Sequence, residues 1–444
     1  MIIGVAGTAP SYSIAATMAA LIAAVGVLAP ASLLYCGLIM FGITFAYMHL
    51  NRVDANAGAS YAWVSRVFNH TLGFFAGWTV LVSSALFMVS ATIPAAQATL
   101  LLFEPVLTPL IGAGAHANKF AVTAVAIGWM LAVSAVLVTG IRVTGVVQTV
   151  MTTIELLVLA GVALTAFWQY GGEALQRLSW ASLSIAQFDL TSFASGAVIS
   201  LFFFWGWDVA LNLNEETRHG HTTPGHGAVV AMLIIMSAFI AFSAITLTVL
   251  TDEEIVASST NVIFAVADKL FPRPWGYVAV LAVMLSTIGT LETSILQFTR
   301  TMFAKSRAGV LHRRWAQIHA RWKTPHVATL LIATLGAVLL LLSLIYPDSD
   351  SVMKASIGAI GVQAAYYYGL VGFACAWEFR KGALSSPFRL VFMVLWPAAS
   401  ATVLWAAAML NMRNFDAPTA VIAIGGILIG FVPLSIYQRE LKLQ

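Results

Sequence analysis

Three carboxylates interrupt runs that are otherwise apolar: Glu155 in QTVMTTIELL (148–157), Asp208 in FFFWGWDVAL (202–211) and Glu292 in IGTLETSIL (288–296). At bilayer depth such a group costs at least about 2.5–3.5 kcal/mol on insertion scales, so it faces the protein interior and usually has a role. A carboxyl that alternates between buried and open surroundings can bind a proton and release it. Two apolar runs, one of them that of Asp208, carry helix breakers. Gly7 and Pro10 weaken GVAGTAPSYS (4–13), and Gly206 weakens FFWGWD (203–208). An interrupted helix frees backbone N–H and C=O groups that have no intrahelical partner. In hydrocarbon these must meet protein partners or line a cavity. The exposed N-terminus of a half-helix suits a carboxylate, and freed carbonyls suit an ammonium, so a pair of broken helices can receive an amino-acid zwitterion.

The elements that position these groups follow from composition. Of 444 residues, 60% are hydrophobic and 9% charged; a soluble domain carries about 25% charged residues. The chain is therefore expected to be an all-α integral membrane protein whose partner is the lipid bilayer. A helical span needs about 20 apolar residues. Twelve such runs can be read: roughly 2–20, 28–49, 71–99, 119–139, 145–169, 191–214, 227–250, 275–303, 327–346, 352–378, 387–411 and 418–437. Long continuous runs exclude a β-barrel, whose strands are short and alternating. With the N-terminus inside, the inner segments hold 16 of the 22 lysines and arginines, so the positive-inside rule places both termini in the cytoplasm. The run 300–323 is the strongest anchor. The chain starts in an apolar run with no charged region before it, so no cleavable leader is expected. Cys36 and Cys375 both sit in apolar runs, where a disulfide framework is not expected.

The interruptions fall in spans 1 and 6, five spans apart. Matched breaks in two halves point to an inverted-repeat transporter. The halves would be 1–170 and 171–378, with 379–444 as two additional spans. Nothing in the sequence calls for a cofactor or nucleic acid. RHGHTTPGH (218–226) holds three histidines without the acid or cysteine partners of a metal site. An enzyme would need a clustered nucleophile and base, and a membrane-embedded sensor an added cytoplasmic domain; neither pattern is present.

Three further segments carry a resemblance. NAGASYAWVSRVFNHTLGFFAGW (56–78) is similar to P-x-G-G-x-Y…G-x-x-x-G-F-x-x-G-W. NLNEET (212–217) resembles an acidic turn before a Pro-containing loop. TRTMFAKSRAGVLHRRWAQIHARWKTP (299–325) resembles S-R-x-x-x-A-M-A-R-D-G-x-L-P-x-x-F-x-x-V-H-x-x-x-x-T-P. In this order they resemble the amino acid–polyamine–organocation transporters, amino acid permease type, over nearly the whole chain. That resemblance implies a LeuT-like fold of two inverted five-helix repeats plus two spans, in the cytoplasmic membrane. It implies that the Ala6–Gly7–Thr8–Ala9 backbone holds a substrate carboxylate, although Thr8 and Ala9 stand where Ser and Gly are usual. The carbonyls of Phe202, Phe203 and Trp205 would hold the amine. Gly206 would leave room for the substrate, and Ser83, Ser84 and Ser294 would border it. Glu155 occupies a position where many relatives carry lysine, so it is the first proton-coupling candidate. Glu292 stands where relatives often have Asn; its alternative is a structural hydrogen bond. Asp208 follows the family's frequent acid; it and Glu292 are the further proton-coupling candidates, and the alternative for Asp208 is that it ties down the unwound turn. Phe202, Trp205 and Trp207 could lid the site or pack between helices, and one of Tyr366, Tyr367 and Tyr368 would face the pathway. The expected function is proton-coupled symport of amino acids by alternating access. A polyamine or other organic amine, or amino acid exchange, are the alternatives.

Overall fold

The computed structural model describes the chain apart from residues 113, 178, 259–260, 347–348 and 437–444. The described residues are helical, with turns and short connections and no strand. Among the described residues, ten apolar helical stretches are long enough to cross a membrane. The first, Ile2–Val53, turns at Gly26–Leu28 and supplies both span 1 and span 2. Span 6 falls short as Leu190–Phe203 because it is broken. The expected runs thus correspond to helices, two of them interrupted, except that residue 437 lies outside the described residues.

Span 1 is two helices, Ile2–Thr8 and Pro10–Val25, and span 2 is Ala29–Val53. Span 3 is His70–Leu102, span 4 Lys119–Val138 and span 5 Ile141–Arg177. Span 6 is Leu190–Phe203 and Val209–Asn212. Spans 7, 8, 9 and 10 are Thr223–Val249, Tyr277–Arg307, His326–Ser343 and Ser349–Phe379. The last two are Pro387–Asn414 and Ala417–Ile436. Side chains supply several helix starts. Asn69 accepts from the Leu72 N–H, Asn118 from Phe120 and Ala121, and Asp189 with Ser192 forms a capping box at span 6.

Burial sorts the spans. The apolar windows of spans 3, 8 and 10 are 72%, 72% and 83% buried, against 28% and 22% for the last two. Spans 3, 8 and 10 therefore form the middle of the bundle, and the last two lie on its outside. Span 8 packs along span 3 and against spans 1 and 5. That explains its composition: Ser286, Thr290, Glu292, Thr293, Gln297 and Thr301 are all buried. Lipid would penalise every one of them, whereas neighbouring helices can satisfy them.

Candidate transport site

Both interruptions are present, and they cross. In span 1 the break is a single residue, Ala9, in the left-handed region (φ 46°). Pro10 begins the second half, where its missing N–H costs nothing. Gly7 lies inside the first half-helix, so the Ala6–Thr8 backbone is helical rather than open as the sequence suggested. In span 6 the helix stops at Phe203 and resumes at Val209, with Gly206 at φ 101° between them. A Cβ on Gly206 would lie 2.2 Å from the Gly7 carbonyl oxygen, and a Cβ on Gly7 would lie 2.2 Å from that of Gly206. The sequence assigned the room beside Gly206 to substrate. The structure fills it with the backbone of span 1, because only paired glycines let two broken helices approach this closely.

The freed groups of span 1 find partners in spans 5 and 8 and within span 1 itself. The Ser11 N–H donates to Glu155 Oε1 at 2.8 Å, and the Tyr12 N–H to Ser286 Oγ at 3.3 Å. The Ser13 N–H reaches the Ala9 carbonyl, and Ser13 Oγ donates to the Thr8 carbonyl at 2.7 Å. Thr290 Oγ1 donates to the Gly7 carbonyl at 3.0 Å. Glu155 thus reaches from span 5 into the break of span 1, and its carboxylate sits at a half-helix N-terminus, where negative charge is favoured.

Asp208 anchors the other break. Its Oδ1 accepts from the Tyr368 hydroxyl and its Oδ2 from Gln297 Nε2, both at 2.8 Å. Tyr368 Oη also receives the Gly206 N–H at 3.4 Å. One buried carboxylate thereby joins spans 6, 8 and 10, the structural role that the sequence weighed for it. Of the three consecutive tyrosines, Tyr368 makes this link, while the Tyr367 hydroxyl and Trp205 Nε1 are buried without a hydrogen-bond partner among the described residues.

Aromatic rings close the crossing from both directions. Trp205 lies 4.9 Å from Phe87, and Tyr12 lies 6.1 Å from Phe87 and 6.4 Å from Phe202. Tyr12 is also a wall of a cavity of about 100 Å³ that continues past Gln97 to His116 and Asn261. Toward the opposite end, Trp207 stacks on Tyr368 at 5.8 Å, and Tyr47 meets Trp207 at 5.1 Å. Beyond that plug lie two ion pairs: Arg300 with Glu216 and Arg307 with Glu215, each bidentate. The Arg307 hydrogen bonds hold the Glu215 carboxyl below its ordinary range. A cavity of about 430 Å³ opens here between Ile141, Glu216, Arg300 and Trp322.

The remaining expected residues fall as follows. Phe202 and Phe203 are buried at the end of the first half of span 6. Ser83 and Ser84 donate to the Thr79 and Val80 carbonyls of their own helix, the bonding that buried helical serines commonly adopt. Ser294 is buried on span 8. Glu292 is buried at the seam with span 5, beside Gln148. Sequence reasoning passed over Ser11, Tyr12, Phe87, Ser286, Thr290 and Gln297. Apart from Phe87, their signal was available as polar residues within apolar spans.

The sequence matches the profile of the amino acid permease family over residues 1–433. The chain belongs to that family. It is similar to the serine/threonine exchanger SteT of Bacillus subtilis, 23% identical over 73% of this chain and 69% of that one. It is similar to the low-affinity putrescine importer PlaP of Escherichia coli K12, 23% identical over 89% and 83%. It is also similar to the human Asc-type amino acid transporter 1, 23% identical over 87% and 70%. This permease is a multi-pass membrane protein of an amino acid transport family.

Proposed function

We propose that this permease is a proton-coupled symporter of amino acids, working by alternating access in the cytoplasmic membrane with both termini inside. The two halves, 1–170 and 171–378, would rock against each other around the crossed interruptions. One observation carries the coupling: the Glu155 carboxylate accepts the Ser11 N–H at the break of span 1. An ionised carboxyl accepts there; a protonated oxygen does so poorly. Proton binding would release span 1 at that point, which ties proton occupancy to the geometry of the crossing. The aromatic plug and the ion pairs of Glu215 and Glu216 would form the inner gate, closed in this conformation. The test is uptake of labelled amino acids into proteoliposomes with an imposed pH gradient. Accumulation above equilibrium that disappears with a proton carrier supports the reading, and exchange that ignores the gradient overturns it.

A second reading, amine rather than amino acid, is favoured by a specific observation. The N–H groups of Ser11, Tyr12 and Ser13 after the break all have protein partners. No donor among them is open to a substrate carboxylate, and Pro10 removes another. Competition of labelled amino acid uptake by decarboxylated amines separates the two.

A further inference from the structure

The loop between spans 8 and 9 (308–325) carries a surface that the crossing does not use. It leaves span 8 in the middle of the bundle and ends at span 9, whose apolar window is only 33% buried. On the way it lies against the turn between spans 4 and 5. Thr324 Oγ1 donates to the Val138 carbonyl at 2.8 Å, and a Cβ on Gly140 would lie 3.6 Å from the Trp322 carbonyl oxygen. Spans 4 and 5 are peripheral as well, with windows 39% and 33% buried. The contact therefore sits at the rim of the bundle.

A closed turn presents the side chains there. The His319 N–H donates to the Thr324 carbonyl at 2.8 Å, and the Lys323 N–H to the His319 carbonyl at 2.9 Å. His319 Nδ1 accepts the Arg321 and Trp322 N–H groups, each at 3.2 Å, and its ring stacks on Trp322 at 4.3 Å. Arg321, Trp322 and Lys323 are thereby fixed on the turn, all three exposed.

Charge and apolar surface meet at this rim. Arg142, Arg313, Arg314, Arg321 and Lys323 are exposed, and none has a carboxylate partner among the described residues. The sequence has no Asp or Glu between Glu104 and Glu155 or between Glu292 and Asp348. The two acids that share the cavity beside Arg300 with Lys323 are already engaged, Glu215 by Arg307 and Glu216 by Arg300. An apolar stripe begins next to Arg142: Val143, Val146 and Val150 are exposed at spacings of three and four along span 5. Unpaired cations above such a stripe suit a lipid phosphate with its acyl chains below, and a tryptophan between them suits the interface.

We infer that this rim binds an anionic phospholipid. Its phosphate sits among Arg142, Arg321 and Lys323, and its acyl chains run along Val143, Val146 and Val150. The positive-inside rule accounts for basic residues at this end of the bundle. It does not require them to be unpaired, gathered on two touching segments and set above an apolar stripe. The bound lipid ties the membrane to one wall of the cavity beside Arg300, since Ile318, Trp322, Lys323 and Thr324 line it. Naming the leaflet as cytoplasmic rests on the proposed orientation; the site itself does not.

Trp322 reports on the site. Full-length protein in detergent is titrated with phosphatidylglycerol or phosphatidylcholine carrying brominated acyl chains, and the signal of Trp322→Phe is subtracted. Phosphatidylglycerol should quench Trp322 at the lower concentration. Arg142→Gln and Arg321→Gln should each raise that concentration about fivefold, the equivalent of about 1 kcal/mol per basic residue. Arg389→Gln, at the start of Pro387–Asn414, should leave it unchanged. Equal quenching by the two lipids overturns the inference. An Arg389→Gln effect as large as that of Arg142→Gln also overturns it, because the preference would then belong to the whole basic end. Displacement by inorganic phosphate beyond that by chloride at equal ionic strength overturns it too, since the cluster would then take free anions. Should Trp322→Phe fail to fold, the phosphatidylglycerol retained through purification, counted by mass spectrometry, decides: retention undiminished in Arg142→Gln overturns the site. Sidedness is read separately. A cysteine in Ala320→Cys that is labelled from outside intact cells overturns the proposed orientation and leaves the lipid site standing.

Discussion

Gly7 and Gly206 meet backbone to backbone where the two interrupted helices cross. A methyl group on either would lie 2.2 Å from the other's carbonyl oxygen. The contact is reciprocal, so neither break can move without the other.

Gly7→Ala and Gly206→Ala should therefore both destabilise the protein, by about 1–3 kcal/mol for the overpacking. Gly206→Ala should cost more, since its φ of 101° adds strain that Gly7 does not have. Thermal unfolding in detergent measures this, and substrate affinity should fall in both variants. Equal and negligible shifts would mean that the crossing is loose.

Asp208 should behave as a tie. Asp208→Asn and Tyr368→Phe each remove a partner of one buried hydrogen bond. Their effects should fail to add, with a coupling of about 0.5–3 kcal/mol in a double-mutant cycle read by unfolding. Additive losses would show that the bond contributes nothing beyond its separate members.

The proposed inner gate should respond to acid. Hydrogen bonds from Arg307 hold the Glu215 carboxyl below the ordinary carboxylate range. A depressed folded-state value means that this contribution is fully present above the ordinary value. It is lost as the pH falls through the lower one. Arg307→Gln should open the gate already at neutral pH. Labelling of a cysteine placed at Phe303, in the wall of the inner cavity, reads this, since Cys36 and Cys375 are buried. Labelling that is independent of both pH and Arg307 would remove the pair from the gate.

Trp205→Ala should weaken substrate binding more than Trp207→Ala. Trp205 packs on Phe87, toward the cavity that holds Tyr12, whereas Trp207 is stacked on Tyr368 in the plug. Titration of purified variants checks the order, and a reversed order would place the substrate on the other side of the crossing.

The spans and both breaks were legible in the sequence, because hydropathy sets helix length and Gly or Pro weakens a helix wherever it occurs. What filled the breaks was not. GVAGTAPSYS shows that N–H groups will be freed, but only packing shows that Glu155, 144 residues away, takes one of them. The same applies to Gly206: its type announces a special backbone, and the neighbour that requires it comes from span 1. The break falls at Ala9 rather than Gly7 because Pro10 has no N–H with which to continue the first half-helix. Ser83 and Ser84 make their hydrogen bonds to carbonyls of their own helix.

The central claim is that Glu155 couples proton movement to the crossing. Glu155→Gln keeps the shape and cannot titrate. In proteoliposomes it should retain substrate exchange at the parental rate and lose accumulation driven by an imposed proton gradient. Parental accumulation in that variant would contradict the account and leave Glu155 as a structural cap on span 1.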